Sequence, residues 1–289
     1  MYITSNIMGG LGNQLFQIFT TIAHAIRTNQ KFIFVYSKIL NTGNARNTYW
    51  KTFLDKLLEY TTANIVLELT NKDVDEFPMH RENGFEYKPL PDFNGRNTKL
   101  FGYFQSYKYF EDQFEYICDM IDLRKQQDTI KREFPTLLCA DTHIISMHFR
   151  MGDYKNLPNY HPIMPYDYFC NALSHVLLNQ TTNKYQVNCF CEAEDNAHVL
   201  DIVTRMKLKY PAVDFVKVDD MIDDWQQMLI MSCSHDNIIA NSSFSWWAAY
   251  FNENANKVVC YPNIWFGPAI SYVIVDDLFP PSWNKISIH

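Results

Sequence analysis

From residue 143 onward the sequence alternates short apolar runs with longer stretches of helical periodicity, and this rhythm restricts the fold more than any other feature. The runs His143–His148, Val187–Cys191, Val213–Val218, Asn237–Ala240 and Lys257–Tyr261 have strand length. Between them lie helical patterns from Pro165 to Leu178, Asn196 to Tyr210, Asp224 to His235 and Phe244 to Asn252. Helix-length connections imply parallel pairing, because a crossover must return the chain before each new strand can run the same way. Lys257–Tyr261 is expected to close this sheet. The N-terminus opens similarly, with a strand Tyr2–Ile7, a glycine turn, a helix with Leu15, Ile18, Phe19, Ile22 and Ile26 on one face, and a strand Lys31–Tyr36. Gly102–Leu123 reads as helical with an aromatic stripe, and Ile130–Leu138 as a helix ended near Pro135. Residues 48–100, broken by Pro78, Pro89 and Pro91, give no clear pattern. The expectation is an α/β chain of two successive domains, 1–139 and 140–289, with the boundary near Cys139–Thr142.

A length of 289 residues is enough for two compact cores. The formal net charge of −7 argues against general nucleic-acid binding, which needs a basic face to neutralise phosphates. The charge is uneven, however: no Asp or Glu occurs before Asp55, while Arg27, Lys31, Lys38, Arg46 and Lys51 are basic, a setting that favours an anionic ligand. Seven cysteines form no CxxC pair and no Cys/His ligand set, so reduced, buried thiols in a cytoplasmic protein are expected, and no zinc site. The N-terminus lacks signal-peptide character and no apolar stretch reaches 18 residues, so no transmembrane segment is expected.

Three segments carry chemistry. In MGGLGNQLFQI, Met8–Ile18, Gly9, Gly10 and Gly12 end a strand and Asn13 begins a helix, so backbone N–H groups are available to an anion. A dinucleotide fingerprint would need a third spaced glycine and an acidic residue about 20 positions on; both are missing, which disfavours an NAD-dependent dehydrogenase. In HFRMGDY, His148–Tyr154, Arg150 offers a planar fork suited to a diphosphate at the carboxyl end of a strand. There Asp153 is placed to orient the guanidinium or accept a proton, and His148 to bond the same group. In ANSSFSWWAAY, Ala240–Tyr250, Asn241, Ser242 and Ser243 precede a helix and form a second phosphate cradle, with Phe244 available to stack on a base. Each segment alone also fits a purely structural turn, ion pair or helix cap.

Taken together, in this order and spacing, the three segments resemble the alpha-1,2-fucosyltransferase family, glycosyltransferase family 11. Asp224, Met228, Met231, Cys233, His235, Ile238 and the PPSWNKI segment from Pro280 to Ile286 extend the resemblance over most of the chain. The resemblance implies a GT-B-like fold of two Rossmann-like domains facing a central cleft, the first on the acceptor side and the second binding the donor. It implies an inverting transferase that moves L-fucose from GDP-fucose to a hydroxyl, O2, of a galactose-containing glycan, with no metal and no cofactor beyond that donor. Carried to this sequence, Arg150 binds the diphosphate, Ser242, Ser243 and Phe244 lie around the phosphates and nucleoside, and Gly10, Gly12 and Asn13 face the cleft. Relatives often carry Phe-Ser-Asp-Asp where this chain has Phe190-Cys191-Glu192-Ala193, so the guanine contact falls on Glu192 or Glu194. Two other readings remain at this stage: a metal-dependent transferase using the DxD of Asp73 and Asp75, and a non-catalytic sugar- or nucleotide-binding module.

Overall fold

The computed structural model describes residues 1–41, 45–180, 182 and 184–288. The chain forms two compact units, residues 1–125 with 274–280, and residues 126–273 with 281–289. The expected break at Cys139–Thr142 thus lies inside the second unit, and a short C-terminal segment returns to the first.

The first unit opens with β1 (Tyr2–Ser5) and α1 (Leu11–Arg27). Leu15, Phe16, Ile18, Phe19 and Ile22 of α1 are wholly buried, each stabilising the unit by roughly 1.5–3 kcal/mol. Next comes β2 (Lys31–Phe32), two residues rather than the six expected. The run stops pairing with β1 because Phe34 exchanges backbone hydrogen bonds with Tyr60 and Thr62 instead. A small antiparallel pair, β3 (Ile39–Leu40) and β4 (Arg46–Asn47), is followed by α2 (Asn71–Asp75), β5 (Met79–Arg81) and β6 (Thr98–Phe101). The four-stranded sheet has the order β2-β1-β6-β5 and is parallel throughout. Gly102–Leu123 is not one helix: Phe104 takes a left-handed φ of 51°, 3-10 turns follow at Tyr107–Tyr109 and Glu111–Gln113, and only α3 (Phe114–Met120) is α-helical. The next helix, α4 (Leu123–Glu133), begins seven residues before Ile130 and stops short of Pro135, whose ring disfavours the helical conformation at residue 134.

The second unit matches the alternating sequence closely. It runs β7 (His143–His148), α5 (Tyr166–Asn179), β8 (Tyr185–Phe190), α6 (Asn196–Lys209), β9 (Val213–Lys217), α7 (Asp224–Ser232), β10 (Asp236–Ile238), α8 (Ser243–Tyr250), β11 (Val259–Pro262) and β12 (Asn284–Ile286). The six-stranded sheet has the order β12-β11-β10-β7-β8-β9, all parallel. The closing strand is therefore β12 and not the expected Lys257–Tyr261; a three-residue strand behind Pro280-Pro281 leaves little periodicity to read. The chain winds outward from β7 in one direction, then returns to lay β10 on its other side. That is the doubly wound pattern, with its switch point between β7 and β10, where open sheets of this kind bind ligands at the carboxyl ends of the strands. Among the described residues no helix is long and apolar enough to cross a membrane.

Candidate active site

The switch point places two of the three segments together. β7 ends at His148 and leads directly into Arg150, while β10 leads into Asn241 and α8. The Arg150 guanidinium is hydrogen-bonded to Glu192, beyond the end of β8, and to Asp153. It also lies over the Tyr154 ring, 4.8 Å from the centroid. Burial alone would lower its pKa, but Glu192, Tyr154 and Asp153 outweigh that effect and hold the cation in place. Glu192, expected at a guanine, is thus on the arginine, and Asp153 occupies an orienting position against the same fork.

The loop carrying Arg150 is fixed from behind. Gly152 has a φ of +38°, and a Cβ there would sit 2.5 Å from Glu192 Oε2, so both backbone and space call for glycine. The Gly152 N–H donates to Asp195 Oδ2 at 2.9 Å, and the fully buried Asp195 carboxylate also pairs with Lys155. Tyr154 stacks on His161 with ring centroids 4.6 Å apart and donates its hydroxyl to the Asn241 carbonyl at 3.1 Å, linking the second segment to the third. Tyr154, Asp195 and Gly152 were not singled out from sequence; two of them lay within the quoted HFRMGDY, and Asp195 has no local signal.

On the other side, Ser242 is the N-cap of α8, its hydroxyl accepting from the Phe244 N–H at 3.3 Å. Asn241 is buried and donates its side-chain amide to the carbonyls of Pro162 and Trp265, at 3.0 and 3.1 Å. It therefore shapes the turn from within rather than presenting its amide outward. Ser243 opens the helix and Phe244 lies with its ring 5.5 Å from that of His148. His148 is enclosed, and burial followed by the nearby Arg150 charge lowers its pKa to about 3, so the imidazole is neutral. Its Nδ1 has no hydrogen-bond partner among the described residues.

The glycine turn belongs to the first unit. Gly9, with φ +81°, is the demanding position, since a Cβ would come 2.7 Å from Asn13 Nδ2, whereas nothing lies within 4 Å of a Cβ at Gly10. Gly10 is the N-cap of α1 and Gly12 is buried in its first turn. Asn13 Oδ1 accepts from Gln105 Nε2 at 2.7 Å. Gln17 holds the turn by bonding both the N–H and the carbonyl of Met8, each at 2.9 Å.

The DxD carboxylates have structural partners: Asp73 completes a capping box with Thr70, and Asp75 pairs with Lys99 at 3.6 Å. Among the described residues, Glu192, Glu194 and Asp195 bring carboxylate oxygens within 4.8 Å of one another. Two of these are already engaged, Glu192 by Arg150 and Asp195 by Lys155 and Gly152.

Residues 2–287 match the family model described as glycosyl transferase family 11. Among curated relatives, the chain is 25% identical over 295 residues to an alpha-1,2-colitosyltransferase of Escherichia coli, covering 91% of this chain and 92% of that protein. It is 24% identical to a galactoside 2-alpha-L-fucosyltransferase of Caenorhabditis elegans, covering 96% of this chain and 77% of that protein. It is also 26% identical to the O-antigen biosynthesis glycosyltransferase WbnK of E. coli, where the match spans 58% of this chain and 55% of that protein. Of solved structures, E. coli ADP-heptose LPS heptosyltransferase II is similar with a TM-score of 0.53 at 12% identity, covering 99% of this chain and 90% of that one. A variant of Arabidopsis thaliana FUT1 in complex with GDP is similar with a TM-score of 0.50 at 12% identity, covering 89% and 69%. These likenesses show the GT-B-like fold.

Proposed function

Since the chain belongs to glycosyltransferase family 11, we propose that it transfers L-fucose from GDP-fucose to O2 of a galactose-containing glycan. The observation that carries this reading is the Arg150 guanidinium, held by two carboxylates and a ring at the switch point of a doubly wound sheet, across from the N-terminus of α8. In the transfer an acceptor hydroxyl oxygen attacks the anomeric carbon from the face opposite the diphosphate, so that the configuration inverts, and its proton passes to a base, for which Asp153 is the proposed carboxylate. The bond to the diphosphate breaks and the nucleotide leaves with the electron pair. Negative charge develops on the leaving group, and preorganised cations and N–H donors stabilise it best. Arg150 supplies the charge, the first amides of α8 supply dipoles, and neutral His148 supplies an imidazole. With these groups in place we propose that no metal is required, and that Asp153 and Glu192 fix the fork until the diphosphate replaces one of them. Ser242, Ser243 and Phe244 complete the proposed donor contacts in the second unit, and Asn241 supports the turn.

The colitosyltransferase relative favours a second reading, in which the donor carries colitose rather than fucose. Purified protein is incubated with GDP-fucose, GDP-colitose, GDP-mannose and UDP-galactose beside a panel of galactosides, with and without excess EDTA. Transfer from GDP-fucose, undiminished by EDTA and dependent on a terminal galactoside, is expected. Preference for GDP-colitose would establish the second reading, and transfer from UDP-galactose would overturn both.

A further inference from the structure

The first unit has a feature that the donor chemistry does not use. At the carboxyl ends of β5 and β6, residues 80–83 and 88–91 line a half-open cavity of about 140 Å³ against Phe104 and Tyr109. An apolar cavity of about 150 Å³ holds one benzene-sized ring, so this space has room for a single six-membered ring.

Its walls are mostly apolar, with Phe104 and Tyr109 buried and Pro89, Leu90 and Pro91 opposite. Its fixed acceptor is Glu82. Glu82 Oε2 accepts from the Tyr103 and Phe104 N–H groups at 2.8 and 3.1 Å, and Oε1 from Phe104 at 3.0 Å. An ionised carboxylate has about four lone-pair sites, so capacity for a hydroxyl donor remains. A Cβ at Gly102 would fall 2.3 Å from Glu82 Cβ, so glycine there is what lets Glu82 lie in this position. Phe104 holds its left-handed conformation in the same place, at a cost of about 1–3 kcal/mol. The cations are directed elsewhere: Lys88 Nζ donates to the Asn83 carbonyl at 2.7 Å, and the Arg81 guanidinium lies 4.4 Å from the Phe101 centroid. A ring-sized apolar space with one carboxylate acceptor suits a sugar, which presents C–H faces and hydroxyl donors, better than an anion.

We propose that this cavity binds one pyranose of the acceptor glycan, its C–H face against Phe104 and Tyr109 and a hydroxyl donating to Glu82. Assignment to the acceptor rests on the transferase reading, whereas affinity for a pyranose does not. The test uses the full chain, with methyl β-galactoside, cyclohexanol and inorganic phosphate as probes in saturation-transfer NMR, and steady-state kinetics with an acceptor galactoside. Leu90→Trp fills the cavity without touching the Glu82 hydrogen bonds, and Glu82→Gln removes the charge. Expected results are galactoside binding that weakens about tenfold or more in Leu90→Trp, equivalent to about 1.4 kcal/mol, with an unchanged melting temperature. The acceptor KM rises in both variants and the donor KM does not. Galactoside binding or acceptor KM untouched by Leu90→Trp overturns the proposal and leaves the transferase reading intact, as does stronger binding of phosphate than of galactoside. Binding lost in Leu90→Trp from a chain with no transferase activity keeps the cavity and removes the transferase reading.

Discussion

Arg150→Lys separates the shape of the guanidinium from its charge. In the structure one fork serves two carboxylates, Glu192 and Asp153, through different nitrogens. A diphosphate has the same need for two parallel N–H donors, and an ammonium offers a point charge that satisfies one direction well. The Arg150 side chain is 17% exposed, so solvent screens these interactions only in part. A charge-assisted hydrogen bond contributes about 1.5–3 kcal/mol, and each 1.36 kcal/mol lost from transition-state stabilisation is tenfold in rate. Loss of one of the two bonds therefore predicts a kcat lower by about 10–100-fold in Arg150→Lys. Arg150→Ala, losing both bonds and the charge, falls by about 10³ or more, as phosphate-clamping arginines do. The assay is GDP release under saturating donor and acceptor, with GDP affinity measured separately by calorimetry. The loss is expected in kcat, because the charge to be stabilised is greatest as the diphosphate departs. A lysine variant with the wild-type kcat would refute the reasoning and remove Arg150 from the chemistry.

Other perturbations test the surrounding groups. Glu192→Gln frees the guanidinium from a competing carboxylate, so GDP binds more tightly if Glu192 acts through Arg150; weaker GDP binding in calorimetry would instead place Glu192 on the base. Gly152→Ala forces a Cβ into Glu192 at a left-handed φ, and a destabilisation of about 1–3 kcal/mol is expected in denaturant unfolding; an unchanged midpoint would show that the loop relaxes freely. For His148 the unfolded imidazole protonates near 6.5 and the folded one only near 3, so the unfolded state binds more protons between those values and stability rises with pH across that window. The slope there is up to about 1.4 kcal/mol per pH unit, and His148→Gln should flatten it in acid-unfolding curves; an unaltered slope would assign the acid sensitivity to another group.

The second unit was legible because its strands and helices differ in length and period and because a parallel sheet leaves near-continuous apolar runs. His143–His148 is a strand with the bounds the sequence implied, and the Arg150 and Ser242 segments follow strand ends as expected. The misreadings have local causes. KFIFVY carries β propensity along its length, yet the chain divides its pairing between β1 and Tyr60–Thr62, a tertiary choice that propensity does not encode. Residues 102–113 have helical aromatic spacing but turn at Phe104, where a left-handed aromatic residue defies its own preference. Asp195 was invisible because its partners, Gly152 and Lys155, are some forty residues away in sequence. Asp73 and Asp75 show the converse, a short pattern with a chemical reading that a capping box and a lysine account for.

The position of β10 beside β7 has a consequence for when this protein can work. Asn237 donates to Ser146 across that pairing at 2.7 Å, 91 residues apart in sequence, and bringing such distant segments together costs about 4 kcal/mol of chain entropy. Everything between them, β8 and β9 with their helices, can pair and pack first. On a growing chain Arg150 and Glu192 emerge before the serine-capped helix does, so nucleotide affinity is expected only late in synthesis, once β10 docks. Slow folding of this late step is what a mutation at Asn237 or Ser146 would first reveal, as delayed recovery of GDP binding after dilution from denaturant.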